Sequence, residues 1–379
     1  MTPYLAGMRI PIMLGSEIYR LSSYGQAHPL RVPRVSTVMD LSRALGWLGS
    51  HNFRPSPRAK AKALQIWHTP DYLAALEQAE RDGEVDENTR DRHQIGTHSN
   101  PVFPEIWRRP TTSAGGSLLA GELLRNGGTI YHPAGGTHHA FPDKAGGFCY
   151  LNDPVLAMLS LRRNGAKRIA YVDIDAHHMD GVEYGFAGDF ETLLISVHEE
   201  KRWPFTGHVH EDGGGNAFNL PVPRGLNDSE MALIRDRLIL KAVSAFKPDA
   251  IVLQCGADAV EEDPLSRLTL SNNAHWSVVR GLMSLSCPRL LVLGGGGYNP
   301  WSVGRLWTGV WATLNGFDIP PVLPPAGEAV LRKLEFKGNS RGRNPPEHWF
   351  TTLQDAPRPG DIRPEIIDRV RQLEARLGN

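Results

Sequence analysis

Apolar and polar positions along this chain follow two rhythms. Short apolar, β-branched runs read as buried strands at Met8–Leu14, Thr129–Tyr131, Arg168–Ile174, Thr192–Val197, Asp249–Gln254 and Arg289–Leu293. Helical spacing predicts helices over Val35–Leu48, Pro57–Trp67, Thr69–Glu80, Thr111–Arg125, Pro154–Arg163, Asp228–Phe246, Asn272–Leu285, Pro300–Leu314 and Pro364–Leu377. Thr69 stands as an N-cap ahead of Pro70, and Thr111–Arg125 carries small residues on one face. Tyr19–Pro33, Arg81–Asn100 and His198–Gly215 read as loops. Strand then helix, repeated, predicts an α/β fold: a mostly parallel sheet with helices on both faces. Ligands of such sheets bind outside the carboxyl ends of the strands.

The polar groups of interest fall at those ends. Asp173, Asp175, His177, His178 and Asp180 crowd the end of the Arg168–Ile174 strand. Residues two apart on a strand share a face, so Asp173, Asp175 and His177 leave it on one side. Carboxylates and imidazoles that close repel one another or stay unsatisfied unless something binds them, and a divalent cation is the simplest occupant. Two oxygen donors and one imidazole suit zinc, and also ferrous iron, cobalt or manganese. The bland alternative is a doubly wound sheet with a polar strand end and no metal. His138 and His139 follow a strand and the Gly135–Gly136 turn, where two adjacent imidazoles point different ways and each needs a partner. Gly294–Gly297 lacks the Gly-Lys-Ser/Thr ending of a phosphate loop, and no Gly-x-Ser-x-Gly elbow appears.

Composition narrows the setting. The chain has 379 residues, 41% of them hydrophobic, and 41 basic residues balance 41 acidic ones. That leaves no basic field for nucleic acid and no polybasic membrane patch. Met1–Met8 shows no signal pattern, and no apolar run reaches membrane-spanning length. Cys149, Cys255 and Cys287 form no Cys-x-x-Cys pair, which fits a reducing cytosol and a cytoplasmic protein.

Six ordered stretches, His28–Arg34, Pro133–Ala140, Gly147–Asp153, Asp173–Gly181, Gln254–Leu265 and Gly294–Asn299, resemble the histone deacetylase superfamily, the zinc amidohydrolases of the arginase-deacetylase fold. The chain looks most like the bacterial histone-deacetylase-like and acetoin-utilisation branch. The resemblance implies one three-layer α/β/α deacetylase domain over residues 1–379. Its catalytic core would span about 8–316, with a C-terminal extension of about 317–379 packed on it. Asp175, His177 and Asp258 match the metal ligands, with Zn2+ expected and Fe2+ or Co2+ also compatible. His138 and His139 match the tandem histidines, paired with Asp173 and Asp180; His139 would be the main general base and His138 an electrostatic support. Tyr298 matches the tyrosine that donates to the developing oxyanion. Phe148, Trp203, Leu265 and Gly147 match the substrate channel. Asp173, Asp175, His177, Ser196 and Val197 match a structural potassium site, and Arg34 an arginine near the internal product passage. Ser99 stands near the rim aspartate of many eukaryotic members, Met179 replaces a smaller residue, and Ala176 is a small residue that branches of the family share.

The implied activity is a metal-dependent deacetylase acting on N-acetyl or N-acyl lysine-like side chains, in an acetylated protein or a small acylated amine. An acetylpolyamine amidohydrolase is the alternative within the superfamily. Glu199, Glu200, Glu211, Asp212, Glu261 and Glu262 could attract a cationic substrate, although such runs, with Lys201 and Arg202 interleaved, are mostly solvated loop faces. A two-manganese ureohydrolase would need further bridging carboxylates. A non-catalytic binding protein on this fold would ordinarily lack a ligand or the tyrosine. Nothing in the chain specifies an oligomeric state.

Overall fold

The structure is a computed structural model that describes residues 10–25, 27–336 and 344–378. Met1–Met8 and the start of the Met8–Leu14 strand lie outside the described residues. Eight strands form one sheet: β1 (Ile12–Gly15), β2 (Phe53–Pro55), β3 (Gly128–His132), β4 (Ile169–Asp173), β5 (Thr192–Glu199), β6 (Ala217–Val222), β7 (Ala250–Gln254) and β8 (Arg289–Leu293). Their order is β2-β1-β3-β8-β7-β4-β5-β6, and every neighbouring pair is parallel.

Alternation along each strand divides the core between the two faces. Ala170 and Val172 of β4, with Leu290 and Val292 of β8, pack on one side with the tryptophans of the Pro300–Asn315 helix and with the Asn272–Met283 helix. Ile169, Tyr171, Leu291 and Leu293 face the other side, against the Asp153–Arg163 and Arg108–Leu123 helices. These two helices lie close because Gly121 of one abuts Ser160 of the other, where a Cβ would have no room. The result is three layers, helices on a sheet on helices, the arginase-deacetylase fold.

Several expectations are revised. The Pro57–Trp67 helix shrinks to Ala61–Leu64, and Thr69 caps with its backbone position only, without a side-chain hydrogen bond. The Arg81–Asn100 loop contains a helix, Glu87–His93, started by the Asp86 carboxylate on the Thr89 N–H at 2.6 Å. The Asp228–Phe246 helix is broken by a wider π turn at Arg235–Ile239. Tyr19–Pro33 holds two short helical turns, Ile18–Leu21 and Pro29–Arg31. The two outermost strands, β2 and β6, carry no clear alternation; β6 contains Pro221, which a sheet edge tolerates.

Past the Pro300–Asn315 helix the described chain returns over the body. Pro325–Arg332 packs on the Val35–Ala44 helix, His348–Thr351 on Pro300–Asn315, and Pro364–Glu374 on β6. A buried ion pair, Arg305 to Asp355 at 2.7 Å, fastens this return. Among the described residues no helix is long and apolar enough to cross a membrane.

Strand register decides where the chemistry gathers. Asp173 of β4 stands opposite Gln254 of β7 and Ser196 of β5, Gln254 opposite Leu293 of β8, and Leu293 opposite His132 of β3. The carboxyl ends of these central strands are therefore level, and the loops that leave them share one edge of the sheet.

Candidate metal and catalytic centre

Three of those loops meet in a buried cluster. One donor atom each from Asp175, His177 and Asp258 lies within 4.8 Å of the others. His177 Nδ1 sits 3.0 Å from Asp258 Oδ2 and 3.2 Å from Asp175 Oδ1. The Gly296 N–H donates to Asp175 Oδ2 at 2.6 Å, and the Ala176 N–H to Asp258 Oδ1 at 2.9 Å. Glycine is needed here: a Cβ at Gly296 would collide with Asp258 Oδ2 and lie 2.9 Å from Asp175 Oδ2. Burial drives the Asp258 pKa up, reinforced by Asp175. Burial also opposes ionisation of Asp175, but His138, His177 and the Gly296 N–H outweigh it and hold its carboxyl well below the usual range. His177, pulled down by burial and up by both carboxylates, is raised to about 10. The three groups converge where a cation would stand. Two carboxylates and one imidazole, buried and convergent, fit a divalent cation of the zinc type, with coordination positions left for non-protein ligands.

The tandem histidines stand beside this cluster in two unlike pairs. His138 Nδ1 meets Asp173 Oδ2 at 2.7 Å, and His139 Nδ1 meets Asp180 Oδ1 at 2.6 Å. The rings are 3.9 Å apart. Burial lowers the proton affinity of His138, but Asp173 and Asp175 more than offset it and bring its pKa to about 9. Burial and the charge of His138 push His139 down to about 4, against the pull of Asp180. The two adjacent imidazoles are thus pushed in opposite directions, His138 up and His139 down. With each Nδ1 committed to a carboxylate, the free nitrogen is Nε2.

Local structure fixes both rings. The buried Asp153 carboxylate accepts from the Gly136 N–H at 3.0 Å, the Thr137 N–H at 2.9 Å, the Thr137 hydroxyl, and the Ser117 hydroxyl at 2.6 Å. The Asn152 side chain donates to the carbonyls of His138 and Ala140 at 3.1 and 2.9 Å. It also starts the Asp153–Arg163 helix by accepting from Val155 N–H. Buried His68, its pKa lowered to about 4 by burial, accepts the Asn152 N–H at Nε2, 3.0 Å, while Nδ1 faces the Pro142 carbonyl at 3.2 Å. Neither Asp153 nor His68 stands out in the sequence as a support, because the contacts span up to 84 residues.

The remaining expected residues fall around this centre. Tyr298 is buried at the end of the Gly294–Gly297 run, with its ring 5.8 Å from Phe148 in an edge contact. Trp203 stands 4.6 Å from His139, ring to ring, and Gly147 lies against both, where a Cβ would clash. Leu265 and Phe148 pack against the buried cluster that contains Tyr298. The Asn100 side chain receives the Phe148 N–H at 3.0 Å, a support not foreseen. Ser196 and Val197 lie on β5 beside Asp173, the Ser196 hydroxyl 2.8 Å from His198 Nδ1. Arg34 reaches the Gly295 carbonyl at 2.6 Å and covers the Trp307 ring. Ser99 is exposed, and its carbonyl faces His28 Nε2.

Most acidic residues of the expected run are bonded within the chain. Glu199 is buried and bonded by Arg202, Glu262 is buried against Arg358, and Glu200 pairs with Arg369 at 2.9 Å. Glu211 accepts the N–H groups of Gly207 and His208. Of the expected run, Glu199, Glu200, Glu261 and Glu262 are paired with arginines within the chain, while Glu211 is held by backbone N–H groups. Arg202 in turn donates to the Leu265 carbonyl at 2.6 Å, tying the Trp203 loop to the opposite wall.

A level parallel sheet edge bearing a buried Asp-His-Asp cluster and paired histidines defines the class, α/β proteins of the arginase-deacetylase fold. Within that class the chain belongs to the histone deacetylase family, whose histone deacetylase domain matches residues 28–314. It is 30% identical to the acetoin utilization protein AcuC of Bacillus subtilis over 331 residues, 84% of this chain and 85% of that one. It is 33% identical to human histone deacetylase 1 over 309 residues, 79% of this chain and 64% of that one. The crystal structure of a histone deacetylase homologue from Aquifex aeolicus superimposes with a TM-score of 0.91 at 32% identity, covering 97% of this chain and all of that one. A homologue complexed with SAHA gives 0.89 at 33% identity, with 97% of this chain and 100% of that one covered.

Proposed function

We propose that this chain is a metal-dependent deacylase that hydrolyses the amide of an N-acetyl or N-acyl group on a lysine-like amine. The observation that carries the reading is the meeting of Asp175, His177 and Asp258 within 4.8 Å beside the His139–Asp180 pair. Zinc is the expected ion, with ferrous iron or cobalt compatible with the same donors. When bound, the ion supplies polarisation of the amide carbonyl and acidification of a water.

The chain's own groups do the rest. Phe148, Trp203, Leu265 and Gly147 wall the approach and hold an aliphatic stem. His139, neutral at physiological pH, takes a proton from the attacking water at Nε2 and returns it to the leaving amine. Asp180 holds that ring in the required tautomer. His138, bonded to Asp173, gives electrostatic support where negative charge develops. Tyr298 donates its phenol hydrogen to the carbonyl oxygen as it becomes an oxyanion. The second expected ion, potassium, belongs to the Asp173–His177 turn with Ser196 and Val197. The chain acts as one deacetylase unit in a cytoplasmic setting, which its three free cysteines suit.

Acetylated protein side chains or small acylated amines are the substrate class. An acetylpolyamine remains the alternative substrate within the superfamily, although Glu199, Glu200 and Glu262 are paired with arginines within the chain. The test is turnover of an acetyl-lysine peptide by zinc-loaded protein. Tyr298→Phe is expected to lower kcat by about 10²–10³ with little change in KM. Zinc-loaded wild-type protein that turns over neither acyl-lysine nor acylated small amines would contradict the proposal.

A further inference from the structure

The phenol of Tyr298 must sit within a fraction of an ångström of its working position, yet four glycines precede it, two of them at φ +134°. Something outside that run has to hold it. The hydrogen bonds at this point come from the loop that carries Asp258. The Asp263 carboxylate accepts the Tyr298 N–H at 2.7 Å through Oδ2 and the Leu265 N–H at 2.8 Å through Oδ1. Asp263 is buried and has no cationic partner among the described residues, so these two backbone groups are its main anchors. Next to it, the Glu262 carbonyl accepts from the Asn299 side chain at 3.3 Å, and Asn299 in turn caps the Pro300–Asn315 helix. The bracket is fastened from the far side. Arg358 pairs with the buried Glu262 carboxylate and with Glu261 at 3.0 Å, and donates to the Leu270 carbonyl at 2.5 Å. Arg358 lies beyond residue 314, where the family match ends.

We propose that Asp263 is the positioning residue for Tyr298, and that Arg358 of the C-terminal segment holds the Asp263 loop in place. The inference rests on Tyr298 being the oxyanion donor of the proposed reaction. An asparagine at 263 keeps the shape but turns an N–H toward one of the two backbone N–H groups, so the tyrosine loses its fixed point.

The experiment is a double-mutant cycle on the zinc-loaded full chain. Asp263→Asn is expected to lower kcat by about 10- to 100-fold, with KM within about threefold. Arg358→Gln is expected to lower kcat by a smaller factor, about three- to tenfold. In a Tyr298→Phe background both losses should shrink to within about twofold. Equal losses with and without the tyrosine hydroxyl would overturn the proposal, as would unchanged kcat in folded Asp263→Asn. If Asp263→Asn does not accumulate as folded protein, the Arg358→Gln cycle decides by the same criteria. Amide hydrogen exchange separates this inference from the proposed function, because it needs no turnover. Faster exchange at residues 295–299 in either variant, with β8 unchanged, supports the bracket even in a chain without deacylase activity; unchanged exchange there overturns it.

Discussion

Two groups of buried acids lie near one another at the sheet edge and are satisfied in opposite ways. At the strand tips, Asp175 and Asp258 share His177 and a few backbone N–H groups, with His138 Nε2 3.8 Å from Asp175. In the surrounding loops, Glu199 and Glu262 each hold an arginine, Arg202 and Arg358. The loops neutralise their charge with guanidinium groups that stay protonated, whereas the tips face imidazoles, whose nitrogens can give way to a metal ion. A buried carboxylate without a cation is costly, so the first arrangement marks a binding centre and the second a scaffold. Acid content near a cleft is therefore a poor guide to substrate charge; the number of acids without a partner is the better one.

That contrast can be broken at either end. The largest effect is expected at the tips: His177→Ala or Asp175→Ala should abolish bound metal, read by elemental analysis, and lower kcat/KM by more than about 10³. Near-normal turnover in either would contradict the ligand assignment. In the scaffold, Arg202→Gln should cost about 2–3 kcal/mol of stability, because Glu199 keeps only the Arg267 N–H and a distant Arg224. Urea unfolding checks the figure, with metal content expected to hold at one ion per chain.

A smaller effect concerns His68, which supports Asn152 and through it the His138–Ala140 backbone. Its folded pKa of about 4 lies below the unfolded value of 6.5, so the unfolded chain takes up the proton first as pH falls. The stability it contributes is fully present above pH 6.5 and is lost between 6.5 and 4, by up to about 3 kcal/mol. Replacing His68 with glutamine should flatten that part of the stability profile, and an unchanged acid slope would count against a neutral His68. The smallest expected difference is in substrate choice: raising salt should change kcat/KM for an acetylpolyamine by less than about threefold. A steep fall would show that unpaired acids do guide the substrate.

How much of this was legible in the sequence follows from range. The Asp173–Asp180 cluster was visible because five ionisable residues crowd the end of an apolar run. However, β4 itself stops at Asp173, and Asp175 and His177 stand on the bend beyond it, not on the strand face the alternation predicts. The inner strands were visible because burial on both faces leaves continuous apolar runs, as in β7 and β8. The edge strand β6 was not, since Asn219 and Pro221 break any rhythm. The polar helix Glu87–His93 has no apolar stripe to detect. The strand pattern put Asp258 and Tyr298 at strand tips, but their roles emerged only through resemblance to known motifs, because nothing local to them says which groups they will face. The Glu262–Arg358 and Glu230–Arg363 pairs, 96 and 133 residues apart, were beyond reach: each half reads as an ordinary surface charge until the chain is folded.

The central claim is that one cation is held by three strand-tip residues with its remaining positions open. Anomalous diffraction from crystals of the zinc-loaded protein measures this directly. The account predicts a single zinc per chain at about 2.0–2.2 Å from Asp175, His177 and Asp258, with no fourth protein ligand. A second bridged ion, a fourth side chain in the coordination sphere, or zinc bound elsewhere would contradict it.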